Sequence, residues 1–207
     1  MSEEFPHITD INVRWEIFDI LVAGGVVALP TDTLHGFSAA VTYSDGLRRI
    51  AAIKGATGRT QYILLASSIE MVDRYVSSYG CISREQLAEI WPGPLTAVLP
   101  AGPECPEWYG DTVAFRVPDL PPLLELLETL GQPVVSTSVN QTGESPLDDP
   151  KEIQKQFGRS VDAVVAGPET ACTVCSTVVD FTGKKPKVLR QGDYKWTDPD
   201  SGKPSNL

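Results

Sequence analysis

Two stretches rich in hydroxyl and amide side chains carry the chemistry legible in this chain: Leu29-Pro30-Thr31-Asp32-Thr33-Leu34-His35-Gly36 and Val135-Ser136-Thr137-Ser138-Val139-Asn140. Each follows an apolar run, Gly25-Val26-Val27-Ala28-Leu29 or Pro133-Val134-Val135, that reads as a buried strand. Hydroxyls and amides at the ends of buried strands can bond the oxygens of a ligand, and ligands of open α/β sheets bind beside such ends. The same residue types also serve as turn and cap residues, bonding nearby backbone. Two such segments together favour a site.

The cations gather in two clusters, Arg48, Arg49, Lys54 and Arg59, then Lys184, Lys185, Lys187 and Arg190, in a chain of net charge −10. That balance excludes a protein that coats nucleic acid non-specifically, which needs many phosphate contacts. It leaves room for a local basic pocket, with two solvated charged faces as the plain alternative. No GxxxxGK[ST] loop occurs, so a bound phosphate would be held by scattered cations and hydroxyls. Cys172-Thr173-Val174-Cys175 lacks a second pair or a nearby histidine, since His occurs only at positions 7 and 35, and an incidental role is expected rather than zinc or redox chemistry.

The elements that would position these residues follow from patterning. Val13 to Ala23 reads as a helix stopped by Gly24-Gly25, and Ser44-Asp45 caps a second ending near Gly55. Tyr62 to Ala66 is a strand; Ser67 or Ser68 starts a helix, and Ser83 with Gln86 forms a capping box for another. Thr96 to Leu99 and Thr112 to Val117 read as an antiparallel pair joined by a Pro/Gly loop. Asp119 with Pro121 and Pro122 begins a leucine-rich helix ended by Gly131, and Asp149-Pro150 begins a further one. Ala163 to Ala166, Thr177 to Phe181 and Val188-Leu189 are short strands.

The length of 207 residues, with 42% hydrophobic and 21% charged, suits one full-cored domain. We expect a single α/β domain over 12–192 with a twisted, mixed open sheet and helices on its faces, an N-terminal extension 1–11 and a polar tail 193–207. No apolar run nears the ~20 residues of a membrane span, and Met1-Ser2-Glu3-Glu4 lacks the basic flank of a signal peptide. The four cysteines are too few for a disulfide framework, so a cytoplasmic, soluble protein with no membrane partner is expected.

The Leu29–Gly36 segment resembles the PTDTxYGL signature of the YrdC-like family, the threonylcarbamoyl-AMP synthases that begin t6A modification of tRNA. Further matching pieces follow in order: Ile53-Lys54-Gly55, Trp91-Pro92-Gly93-Pro94-Leu95-Thr96, Val113-Ala114-Phe115-Arg116-Val117-Pro118, Ser136-Thr137-Ser138-Val139-Asn140 with Gly143, Ser176-Thr177-Val178-Val179-Asp180 and Arg190-Gln191-Gly192. The resemblance implies a YrdC-like fold with a concave site where ATP, L-threonine and bicarbonate give threonylcarbamoyl-adenylate and pyrophosphate, a nucleotidyltransferase reaction.

It further implies roles. Thr31, Thr33, Arg116 and Ser138 would hold threonine, with Arg116 clamping its carboxylate, a bidentate task Lys performs less well. Lys54, Thr112, Asn140, Ser176 and Arg190 would bind the nucleotide. Lys54 and Arg59 are the catalytic candidates, working with Mg²⁺ through positioning and charge stabilisation rather than a base; no residue is assigned as a metal ligand. His35 stands where the family usually has Tyr and reads as a hydrogen-bonding loop residue, with proton transfer as the alternative. The family's Lys-x-Arg departs here to Lys54-Gly55-Ala56, with Arg59 a candidate replacement. Two readings therefore stand: a nucleotide-using enzyme, either the synthase or a paralogue acting on another acyl adenylate, and a binding module for a nucleotide, tRNA or double-stranded RNA.

Overall fold

The computed structural model describes residues 4–55, 62–168 and 174–197. The elements run α1 (Ile11–Val22), β1 (Val27–Leu29), β2 (Gly36–Ala40), α2 (Ser44–Lys54), β3 (Ile63–Leu65), α3 (Ile69–Asp73), α4 (Arg84–Ile90), β4 (Leu95–Pro100), β5 (Thr112–Arg116), α5 (Pro121–Leu130), β6 (Val134–Ser138), α6 (Pro150–Phe157), β7 (Ala163–Val164), β8 (Thr177–Asp180) and β9 (Lys187–Arg190). The strands form one sheet in the order β7-β1-β2-β6-β3-β5-β4-β8-β9. It is mixed: β1/β7, β3/β5 and β4/β8 are parallel, and the remaining neighbours are antiparallel.

Local chemistry explains most boundaries. The Ser83–Gln86 capping box opens α4, Ser68 caps α3, Asp149 caps α6, and left-handed glycines, Gly55 and Gly131, close α2 and α5. Two caps differ from expectation. Tyr43 and Leu120 hold the N-cap positions of α2 and α5 without a side-chain bond, so Ser44 lies inside its helix and Asp119 outside.

One strand escaped the sequence reading entirely. β2, Gly-Phe-Ser-Ala-Ala, is poor in β-branched residues, yet it is a fully buried interior strand between β1 and β6. Close approach requires the small residues: a Cβ on Gly36 would lie 2.3 Å from Ser136 Oγ, and one on Gly46 of α2 would lie 2.7 Å from Ala39 Cβ.

Two apolar layers hold the sheet. The larger packs Phe37, Leu64, Phe115, Leu99 and Val179 of one face against Trp91, Tyr109 and Phe157. The smaller packs Val27, Leu29, Ala40, Leu65 and Val134 of the other face against Leu21 of α1 and Leu123 and Leu127 of α5. The segment before α1 joins this second layer through fully buried Ile8, and His7 bridges to Ala166. Beyond residue 192, Trp196 stacks edge-on against Phe181 with ring centres 5.0 Å apart. Among the described residues, no helix is long and apolar enough to cross a membrane.

Candidate functional site

Strand parity decides which side chains share the site. Residues paired across a sheet point to the same face, and neighbours along a strand alternate. Ser138 pairs with Gly36, Ser136 with both Ser38 and Ile63, Ile63 with Ala114, and Leu65 with Arg116. These positions therefore lie on the face that α1 and α5 cover at one end only. Beyond those helices the face stays open, and β5 and β8 alternate half-buried with buried residues there. The open part carries a cavity of about 190 Å³ lined by Thr33, Tyr62, Arg116, Ser138, Ser176 and Arg190 together with apolar Leu34, Ile63 and Leu65.

Arg116, only 5% exposed, ends β5 on the cavity floor. Its guanidinium donates to Thr33 Oγ1 at 2.7 Å and to Thr31 Oγ1 at 3.1 Å, and Asp32 Oδ1 lies 3.4 Å from the same Nη2. The Thr31-Asp32-Thr33 turn thus wraps the cation. It is braced from within, because Thr31 donates to Leu34 O at 2.8 Å and its hydroxyl lies 3.0 Å from that of Thr33.

On the opposite wall, Arg190 donates through Nε and Nη2 to Ser176 O at 3.1 and 3.0 Å, and Nη2 reaches Ser176 Oγ at 3.1 Å. Ser176 Oγ in turn lies 2.8 Å from Thr96 Oγ1. Gly192 is needed for this approach, since a Cβ there would lie 2.0 Å from Cys175 O. Cys175, a free thiol, also lines the cavity.

Lys54 and Asn140 hold the second loop from behind. Lys54 Nζ donates to Ser138 O at 2.9 Å and Asn140 Oδ1 at 2.7 Å, Ser138 Oγ donates to the same Oδ1 at 2.6 Å, and Asn140 Nδ2 donates to Gln141 O and Glu144 O. Burial pushes the Lys54 ammonium below the usual lysine range. Neither Lys54 nor Asn140 lines the cavity. Thr112 shares the face of Arg116 but opens β5 opposite Pro100, at the far end of the strand and outside the cavity. Arg59, and Ala56 of the departed motif, lie outside the described residues. So does Cys172.

His35 is buried with both ring nitrogens engaged: Nδ1 lies 2.7 Å from Asp148 Oδ1 and Nε2 3.0 Å from Val165 O. The Asp148 oxygen also accepts the His35 backbone N–H at 2.7 Å. Burial raises the Asp148 carboxyl, but the hydrogen bonds from His35 outweigh it and hold it below the ordinary range. With both nitrogens within hydrogen-bond distance of these oxygens, His35 is a rivet between loops.

Sequence reasoning named Thr33, Arg116, Ser138, Ser176 and Arg190 of the cavity and passed over Ser136, Tyr62 and Cys175, as well as Asp32, which lies behind the cavity against Arg116. Ser136 had a signal, its i,i+2 spacing from Ser138. In the other cluster, Arg49 is spent on Asp162 and Arg48 on Asp45. Among the described residues no group of three or more His, Cys, Asp or Glu side chains could hold a metal ion.

Comparison with known proteins agrees with this fold. The Sua5/YciO/YrdC family model, described as telomere recombination, matches residues 19–192. The threonylcarbamoyl-AMP synthase of Halorhodospira halophila is 35% identical over 170 residues, 81% of this chain and 88% of that protein. The Klebsiella pneumoniae protein of the same name is 36% identical over 67% of this chain and 76% of its own. Among solved structures, E. coli YciO superposes with a TM-score of 0.82 at 26% identity, covering 93% of this chain and 96% of its own. P. abyssi Sua5 complexed with L-threonine gives 0.80 at 28% identity over 88% of this chain, which spans 55% of that longer protein. A single open α/β sheet with this site, matched by the family model over most of its length, makes the chain a member of the Sua5/YciO/YrdC family.

Proposed function

We propose that this chain is a threonylcarbamoyl-AMP synthase, a nucleotidyltransferase that uses ATP, L-threonine and bicarbonate to form threonylcarbamoyl-adenylate and pyrophosphate for t6A modification of tRNA in the cytoplasm. The observation that carries the reading is Arg116, held at the floor of the cavity by Thr31 and Thr33, with Ser138 to one side along the sheet and Ser176 and Arg190 to the other. A buried guanidinium suits a carboxylate. Hydroxyls and a second guanidinium on the opposite wall suit phosphate oxygens. The relatives named threonylcarbamoyl-AMP synthase and the Sua5 bound to L-threonine point to the same substrates.

In this reading Arg116, with Thr31, Thr33 and Ser138, orients threonine, while Ser176 and Arg190 take the nucleotide. Thr112 extends the nucleotide-binding face along β5. Lys54 and Asn140 act by fixing the Ser138 loop, and Arg59 supplies the cation that the motif lacks at Ala56. Mg²⁺ arrives with the ATP phosphates, in keeping with a cation that usually takes few protein ligands and keeps its waters.

The test is pure protein with ATP, Mg²⁺, bicarbonate and L-threonine, measuring pyrophosphate and the adenylate by mass spectrometry. Threonine-dependent release of both is expected. A second reading, a nucleotide or RNA binding module, draws on Lys54 being spent on Ser138 and Asn140; ATP or double-stranded RNA binding without pyrophosphate would establish it and refute the synthase.

A further inference from the structure

We propose that Asp32 supplies the counter-charge for the amino group of the amino-acid substrate, so that the cavity selects a zwitterion over a simple carboxylate. The proposal rests on the amino-acid reading of the cavity and adds a specificity residue to it.

The Asp32 side chain is 8% exposed, and its ion pair is with Arg116. Among the described residues neither of its carboxylate oxygens accepts a hydrogen bond, and both are shut off from solvent. Arginine–carboxylate pairs frequently form a two-pronged fork. Here the flanking hydroxyls of Thr33 and Thr31 take them, at 2.7 and 3.1 Å, and the nearest Asp32 oxygen stays at 3.4 Å. The carboxylate therefore balances charge while its lone pairs remain uncommitted, a costly state for a buried group.

Charge counting then gives selectivity. Arg116 and Asp32 sum to zero. A carboxylate ligand seated on Arg116 would place two anions on that one guanidinium beside Leu34, Ile63 and Leu65, the other guanidinium of the cavity, Arg190, being bonded to Ser176 at the end of β9. A zwitterion adds no net charge and brings an ammonium to offset the second anion. This field acts across several ångströms of low-dielectric surroundings and does not depend on direct contact.

The experiment is calorimetric titration of wild-type and Asp32→Asn protein with L-threonine and with 3-hydroxybutanoate, the same molecule without its amino group. Wild type should prefer L-threonine, and Asp32→Asn should reduce that preference at least about tenfold, mainly by admitting 3-hydroxybutanoate. Asp32→Glu keeps the charge and should keep the preference, which separates charge from packing and serves if the Asn variant folds poorly. Equal loss for both ligands in Asp32→Asn would overturn the proposal and leave the amino-acid reading standing. Wild-type protein that binds neither ligand would overturn both.

Discussion

Replacing Arg116 by Met removes the charge at similar length and leaves Asp32 buried with no cation. Both side chains are nearly inaccessible, 5% and 8% exposed. Breaking a buried pair on one side costs about 3–5 kcal/mol. The 3.4 Å separation without a hydrogen bond places this pair at the low end, about 3 kcal/mol. The threonine hydroxyls lose less, because they retain each other and Leu34 O. For a chain of this size the loss corresponds to a fall in Tm of about 6–12 °C.

Asp32→Asn alone strands the opposite charge and should cost about 2 kcal/mol. The double variant Asp32→Asn/Arg116→Met holds neither charge and should recover about 2 kcal/mol of the summed losses. Urea denaturation of the four proteins, compared at constant m, measures the coupling. Losses that add within about 0.5 kcal/mol would show that the two charges do not sense each other, and the account of the cavity floor would fail. Arg116→Met should also weaken L-threonine about ten- to a hundredfold, the worth of one charged hydrogen-bonding group.

Three further outcomes are expected. Asp148, held below the ordinary carboxyl range by His35, contributes stability that is present above its unfolded pKa of about 4 and is lost as pH falls through its lower folded value; His35→Gln should therefore flatten the acid limb of a Tm-versus-pH curve, by about 0.5–1 kcal/mol for a carboxylate this exposed, and an unchanged limb would refute the rivet. Gly36→Ala should destabilise by about 1–3 kcal/mol in urea, because its Cβ would lie 2.3 Å from Ser136 Oγ, and Ser136→Gly should restore part of that loss. Arg190→Ala should weaken ATP several-fold in a titration and reduce its salt sensitivity, whereas unchanged affinity would remove this wall from the nucleotide site.

The chain wrote its helices, and every strand but β2, in local chemistry. The Ser83–Gln86 box, the paired prolines of α5 and its closing Gly131 each act within a few residues, and the structure follows them. β2 was illegible because its residues are chosen by neighbours distant in sequence, Gly36 by Ser136 and Ala39 by Gly46 of α2, and carry little strand preference of their own. The site divides the same way. Thr33, Arg116, Ser138 and Ser176 stand at strand ends and could be read as polar residues closing apolar runs. The partner of His35, Asp148, is 113 residues away and looks like any turn aspartate. Asp32 sits between two threonines in a turn, where an exposed cap residue is the ordinary expectation, and only the fold buries it against Arg116.

Lys54 shows what motif order alone leaves open. Its place in the sequence fits a phosphate ligand, but the last turn of α2 brings its ammonium to the back of the Ser138–Asn140 loop, where it meets a carbonyl and an amide oxygen. Residue type and order say that a cation belongs near this loop. Which side of the loop it occupies is set by α2, which lies close over β2 because Gly46 rests on Ala39, a residue whose parity points away from the cavity. Face assignment is a property of register. For that reason Ser136, Ser138 and Arg116, locked to one face by β2, β3 and β6, mark the cavity more securely than the cation that stands nearest to them in the motif.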